Sequence, residues 1–178
     1  MSTALHPGVI WFTGLPGSGK STLAAALAER LERAGSRVER LDGDELRELF
    51  PRTGFDAASR DEHARRVAHA ASLLEKHGVT VVVSLVSPYA RSREFARGLC
   101  RRFVEIHVST PQAECERRDP KGLYARARRG EIKDFTGVGD PYETPEKPEL
   151  ALDASRLGVP QAGEIVWERV SRLLGVRR

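Results

Sequence analysis

Eight consecutive residues, Gly14-Leu15-Pro16-Gly17-Ser18-Gly19-Lys20-Ser21, constrain this chain more than any other stretch. Two glycines five apart, followed by Lys and a hydroxyl residue, let backbone N–H groups turn inward on an anion, provided a strand precedes the loop and a helix follows it. Both conditions hold. Val9 to Thr13 is a β-type apolar run, and Leu23, Leu27 and Leu31 recur at helical spacing until Gly35 supplies a stop. The loop and the helix N-terminus then converge on one phosphate cradle. In that geometry Lys20 reaches β- and γ-phosphates and the Ser21 hydroxyl ligates Mg²⁺. The bland alternative, a glycine-rich turn with an exposed lysine, lacks a reason for the flanking elements.

Further β-type runs at Arg37 to Leu41, Thr80 to Leu85, Phe103 to Val108 and Leu150 to Asp153 alternate with helical patterns. These are Arg60 to Lys76, Arg91 to Arg101, Pro111 to Arg118 with Thr110 as cap, and Gln161 to Leu174 with Ile165, Val166, Val170, Leu173 and Leu174 on one face. Such alternation predicts an α/β fold: a five-stranded, mostly parallel sheet with helices on both faces, in three layers, as in phosphate-loop (P-loop) NTPases. At 178 residues and 19.7 kDa we expect one domain spanning 1–178. Asp134 to Glu149, rich in Gly, Pro and charge, reads as a surface loop.

Composition narrows the partners. The longest apolar run, Val79 to Val86, is interrupted by Thr80 and Ser84 and is too short for a membrane span. Met1 to Pro7 lacks the features of a signal peptide, which points to the cytoplasm. Cys100 and Cys115 have neither disulfide nor zinc spacing, so both are expected as buried thiols. The net charge is +4, and Arg117 to Lys133 carries seven basic residues against two acidic ones. That segment suits an anion. With little aromatic interleaving it suits a small phosphorylated ligand rather than nucleic acid.

The chain contains no Asn, so it cannot carry the Asn-Lys-x-Asp element that reads guanine; ATP is the expected nucleotide. No Asp ends the Val79 to Leu85 run. The carboxylates are therefore sought at Asp42-Gly43-Asp44, at the carboxyl end of the second strand beside the loop. There they could hold Mg²⁺ and orient an attacking hydroxyl. The same residues also suit a turn with Asp44 capping Glu45 to Leu49. Spacing alone leaves both readings open.

Taken together, several segments resemble the adenylylsulfate kinases, which phosphorylate the ribose 3′-hydroxyl of adenosine 5′-phosphosulfate (APS) with ATP. They are Trp11-Phe12-Thr13-Gly14 through Thr22, Leu41-Asp42-Gly43-Asp44 with Arg47, Gly54-Phe55, Arg60 with Arg65-Arg66, and Ser87-Pro88-Tyr89. They continue with Arg118-Asp119-Pro120-Lys121-Gly122-Leu123-Tyr124, Gly130-Glu131-Ile132-Lys133, Phe135-Thr136-Gly137 and Pro141-Tyr142-Glu143. The resemblance implies that Gly14 to Thr22 and Arg118 bind ATP, with Arg118 over its adenine. It implies that Asp42 and Asp44 serve the sugar hydroxyl and the metal, and that Arg47 and Arg60 take the phosphosulfate. Guanidinium forks match that many-oxygen group better than a Lys point charge does. Phe55 and Phe135 would cover opposite faces of the acceptor adenine. Lys121 and Phe135 would belong to a mobile lid at about 117–137, with Val86, Ser87, His63 and Asp134 also bordering the acceptor. For Ser87 a binding role is favoured over a phosphoserine intermediate, because in-line transfer needs no covalent stop. A homodimer is implied as well.

The chain departs from the family pattern at His63, where an Asn is common, at Ser59 for Asp, at Asp134 for Gly or Asn, and in a short Leu49 to Thr53 segment. His63 could replace an amide donor or be an exposed helical histidine. These departures leave room for a kinase of the same fold acting on another nucleotide-linked small molecule. A third alternative is a nucleotide-sensing partner without catalysis.

Overall fold

The structure, a computed structural model, describes residues 4–50 and 54–175. Thus the short segment expected at Leu49 to Thr53 and the N-terminal stretch lie partly outside the described residues. Five strands, β1 (Val9–Thr13), β2 (Val38–Asp42), β3 (Thr80–Ser84), β4 (Phe103–Val108) and β5 (Leu150–Leu152), form one sheet in the order β2-β3-β1-β4-β5. Every pairing is parallel, with Val9 opposite both Val81 and Phe103. The expected "mostly parallel" sheet is fully parallel.

The helices are α1 (Lys20–Arg33), α2 (Gly43–Leu49), α3 (Ala57–Lys76), α4 (Ala90–Leu99), α5 (Gln112–Arg118), α6 (Leu123–Arg128) and α7 (Val159–Leu174). Alternation along β1 serves both faces of the sheet. Ile10 and Phe12 pack with Leu23, Leu27 and Leu31 of α1 and Val166, Val170 and Leu174 of α7. Val9 and Trp11 pack with Val67 and Ala71 of α3 and Ala96 of α4. Because β1 is buried on both faces it reads as an unbroken apolar run. The chain leaves β1 for β2 and β3 on one side and returns to β4 and β5 on the other. A ligand crevice therefore opens at the carboxyl end of β1.

Several local expectations change. Thr110 does not cap α5; its hydroxyl donates to the Ser18 carbonyl at 2.8 Å and braces the phosphate loop. Asp44 does not cap α2 either, because Asp42 accepts the Asp44 N–H and Asp44 lies in the first turn. α3 starts three residues earlier than expected, at Ala57, where Asp56 accepts the Ser59 N–H. On α7 the buried residues are Ala162, Val166, Val170 and Leu174, spaced by four, while Ile165 and Leu173 point to solvent. The segment read as a surface loop is irregular, yet Phe135 and Thr136 within it are buried. Cys100 and Cys115 are both buried free thiols.

Candidate active site

The phosphate loop closes with glycine at the positions where a side chain would collide. Gly14 has φ 154°, and a Cβ there would lie 2.6 Å from the Val108 carbonyl; Gly17 has φ 77°, and its Cβ would lie 3.0 Å from the Cys115 carbonyl. Lys20 opens α1 almost wholly buried, its Nζ 3.2 Å from the Leu15 carbonyl. Burial lowers its pKa to about 8, and the fields of Asp44 and Asp42 oppose that shift. A lysine so placed keeps its charge best when an anion joins it.

Beside it, the Ser21 hydroxyl donates to Asp42 Oδ2 at 3.1 Å, and the Ser84 hydroxyl at the end of β3 donates to the same oxygen at 2.6 Å. Burial acts to raise the Asp42 pKa, but hydrogen bonds from Ser84, the Asp44 N–H and Ser21 together hold it below the usual carboxylate value. Asp42, not Asp44, caps α2, and the same carboxylate faces Ser21. Asp44 is exposed and ion-paired with Lys121.

A cavity of about 460 Å³ runs from this corner to a second wall. Of the expected site residues it is lined by Pro16, Gly17, Gly19, Lys20, Ser21, Thr22, Asp42, Asp44, Arg47, Phe55, Arg60, His63, Val86, Ser87, Arg118, Lys121 and Phe135. Gly14, Leu15, Ser18 and Asp134 do not line it. Gly14 and Ser18 shape the loop from within, and Asp134 contributes its backbone carbonyl, which accepts from Arg60. Asp134 also adopts φ 54°, a conformation that asparagine and glycine tolerate well.

On the second wall Phe55 is 63% exposed, and the Arg47 guanidinium stacks over its ring at 4.6 Å while donating to the Gly54 carbonyl at 2.8 Å. An apolar ring left open to solvent at a cavity mouth lacks the core contacts an anchor would have. Arg60 lies beneath the 134–140 turn, bonded to Asp140, Thr136 and the Asp134 carbonyl. His63 is 1% exposed, which removes the exposed-histidine alternative. Its Nε2 lies 3.0 Å from the Gly43 carbonyl, and burial, with the Arg47 charge, lowers its pKa to about 4. His63 is neutral at physiological pH.

Over the cavity, Tyr124 and Ala127 of α6 and Phe135 in the turn after it form a small separate cluster with Cys115 of α5. Tyr124 meets Phe135 edge-on at 5.0 Å and donates its hydroxyl to the Pro16 carbonyl, linking this cover to the phosphate loop. The basic excess of Arg117 to Lys133 is largely neutralised within the protein: Arg117 and Arg118 pair with Glu114, Arg128 with Glu116, and Arg126 and Arg129 with Glu131. Arg118 also donates to the Ala154 carbonyl beside Gly19, a neighbour that spacing did not reveal.

Ser87 is buried at φ 39°, in the left-handed region that costs a side-chain-bearing residue about 1 kcal/mol. Its hydroxyl accepts from Trp11 Nε1 at 3.0 Å and donates to Thr13 Oγ1 at 3.0 Å. Arg93 donates to its carbonyl at 2.7 Å, and Tyr142 reaches Thr13 Oγ1 at 2.8 Å. Sequence reasoning missed Ser84, Thr136, Asp140, Arg93 and Tyr142 as contributors. The signal for Ser84 was present, as a polar residue breaking the run from Val81 to Leu85; the others are brought in by tertiary contact.

A strand–loop–helix phosphate cradle, facing carboxylates and an enclosed second wall define a phosphate-loop kinase acting on a small acceptor. The chain belongs to the adenylylsulfate kinase family: the family model described as Adenylylsulphate kinase matches residues 6–153. It is 49% identical over 170 residues to the adenylyl-sulfate kinase of Picosynechococcus sp., covering 94% of this chain and 96% of that protein. It is 53% identical to the adenylyl-sulfate kinase of Deinococcus deserti over 85% of this chain and 84% of that one. Among solved structures, the Mycobacterium tuberculosis APS kinase in complex with AMPPNP and APS superposes with a TM-score of 0.89 at 40% identity, covering 94% of this chain and 99% of that one.

Proposed function

We propose that the chain transfers the γ-phosphoryl group of ATP to the ribose 3′-hydroxyl of adenosine 5′-phosphosulfate, giving 3′-phosphoadenosine 5′-phosphosulfate and ADP. The observation that carries this reading is the single cavity with a phosphate loop on one wall and Arg47, Phe55 and Arg60 on the other, Asp42 and Asp44 lying between. A neutral polyol acceptor would leave two guanidiniums and an exposed ring without a partner.

In this reading Gly14 to Thr22 bind the triphosphate, and Arg118, beside Gly19 and Ala154, lies over its adenine. The two carboxylates take different tasks. Asp42 accepts three protein hydrogen bonds and is held ionised, which makes it a poor base but a good oxygen donor. With Ser21 it fits Mg²⁺, a hard cation bound through one or two protein oxygens plus substrate phosphates. Substrate phosphates would complete the coordination that Asp42 and Ser21 begin. When bound, Mg²⁺ neutralises charge on the β- and γ-phosphates.

Asp44, exposed to the cavity, accepts the 3′-hydroxyl proton as that oxygen bonds to the γ-phosphorus and the β,γ-bridging oxygen departs with ADP. Lys20 compensates the charge on the transferred group. Lys121, now paired with Asp44, exchanges that carboxylate for substrate when the lid at about 117–137 closes. Arg47 and Arg60 clamp the phosphosulfate, Phe55 and Phe135 sandwich the adenine, and His63 and Val86 complete the pocket. Ser87 holds the wall, because its hydroxyl proton already serves Thr13. Cytoplasmic location and a homodimer follow from the family resemblance; among the described residues no helix is long and apolar enough to cross a membrane. ADP release from Mg·ATP, measured with APS beside a panel of other nucleotide-linked acceptors, tests the reading. Turnover confined to APS is expected, and turnover confined to another acceptor overturns it.

A further inference from the structure

Arg60 is held at the cavity by a tether centred on Asp140, a residue that none of the family-like segments includes. Its Nη1 donates to Asp140 Oδ2 at 2.6 Å and to Thr136 Oγ1 at 3.0 Å, and its Nη2 to the Asp134 carbonyl. The Tyr89 hydroxyl donates to the same Asp140 Oδ2 at 2.9 Å. The ion pair is largely buried, with side-chain exposures of 9% and 14%.

Asp140 also closes the turn that carries Phe135. The Gly137 N–H donates to the Asp140 carbonyl at 2.8 Å, while the Phe135 carbonyl accepts from Val138, Gly139 and Asp140. Phe135 and Asp140 therefore move as one compact unit, and Arg60 pins that unit to the first turns of α3. A guanidinium has five N–H donors in a planar fork. Three are engaged here, and two remain on the side chain that lines the cavity.

We propose that Asp140, oriented by Tyr89, is a positioning residue for acceptor binding: it fixes the plane of the Arg60 guanidinium toward the acceptor's anionic group and, through the same turn, sets Phe135 over the base. The proposal rests on the APS reading given above. The opposite role is physically reasonable for the same pair, since a carboxylate on a binding arginine can also compete with an anionic ligand. The two roles give opposite signs.

The test is steady-state kinetics of the full chain with Mg·ATP and APS for wild type, Asp140→Asn, Asp140→Ala and Tyr89→Phe, with thermal unfolding measured in parallel. Wild-type turnover on APS checks the underlying reading by itself. Given that turnover, Asp140→Ala is expected to raise KM for APS about tenfold, while KM for ATP and kcat stay within about threefold. Asp140→Asn, which keeps an acceptor for Tyr89 and Arg60 but loses the charge, and Tyr89→Phe are expected to shift KM for APS about threefold. Unchanged or lowered KM for APS in the Asp140 variants overturns the proposal, the lowered value marking a competitor. A parallel rise in both KM values with a lower unfolding temperature also overturns it, marking a merely structural residue.

Discussion

In the proposed reading the phosphate-facing groups of the cavity come from one short segment, Pro16 to Thr22, and much of their geometry is backbone. On the acceptor side the ligand-facing groups are side chains from distant segments: Arg47 of α2, Phe55 before α3, Arg60 and His63 on α3, Val86 and Ser87 after β3, and Phe135 in the turn beyond α6. The first kind of site is fixed by local φ values and helix geometry, so it forms wherever the strand–loop–helix unit folds. The second exists only when α3, β3 and the 134–140 turn are packed together. Damage should therefore be all-or-none on the nucleotide side and graded, substrate by substrate, on the acceptor side.

The largest effect is expected from Lys20→Ala, which removes the one buried cation of the loop. kcat/KM should fall by about 1,000-fold or more, as when a preorganised charge at the transferred group is lost. Between the walls, Asp44→Asn should lower kcat by about 100-fold with KM for ATP little changed, the size typical of a general base. If kcat stays within a few-fold, Asp44 only positions its substrate. On the acceptor wall, Phe55→Ala should raise KM for APS about tenfold, the value of one base–aromatic stack, and leave KM for ATP unchanged. Equal changes in both KM values would mean that the two walls are one unit. Smaller again is Ser87→Ala: turnover should remain within about tenfold of wild type, because the variant loses hydrogen bonds to Trp11 and Thr13 but no reacting atom. Loss of all turnover in a folded variant would restore the phosphoserine route.

This contrast also explains what the sequence disclosed. Gly14 to Ser21 announce themselves because a nucleotide cradle is local: the residues that make it are neighbours in the chain, and the strand and helix that validate it flank it directly. β1 and β4 were legible to the residue, β1 because a strand buried on both faces is a plain apolar run, β4 although Glu105 and His107 interrupt its apolar residues. For the acceptor, chemistry alone suggested only an anion, from the basic segment Arg117 to Lys133. Assigning Arg47, Phe55 and Arg60 to one pocket took the family resemblance, and the cavity then brought them together. What neither supplied were partnerships across the fold. Thr110 resembles a helix cap and instead braces Ser18; Asp140 looks like turn chemistry and holds Arg60. A residue's type states which bonds it can make, and only packing decides with whom. α7 shows the same limit in apolar terms: five residues fit a stripe on paper, while the sheet has room for three of them, four apart.

The smallest effect separates the walls by their protons. His63 borders the acceptor cavity, and His107 on β4 stacks against Tyr142 at 5.7 Å. Burial lowers both pKa values to about 4 from the ordinary 6.5, assisted by Arg47 at His63 and by Arg93 at His107. With the folded pKa below the unfolded one, the unfolded chain binds more protons between these values. Stability therefore falls as pH drops from about 6.5 toward 4. Carboxylates held low in the folded state, Asp42 among them, act in a lower window, since their contribution starts to be lost only as pH falls below about 5. Thermal unfolding between pH 7 and 5.5 thus isolates the histidines. The melting temperature should decline by several degrees over that range, and His63→Asn should flatten the decline, with His107 accounting for the remainder. Lys20 acts at the other end: ATP binding should weaken as pH rises through about 8, where the free lysine loses its proton. APS binding should not change there. A wild-type melting temperature that is flat from pH 7 to 5.5 would show that His63 and His107 both keep ordinary pKa values and meet water, and the acceptor wall would then be open at His63.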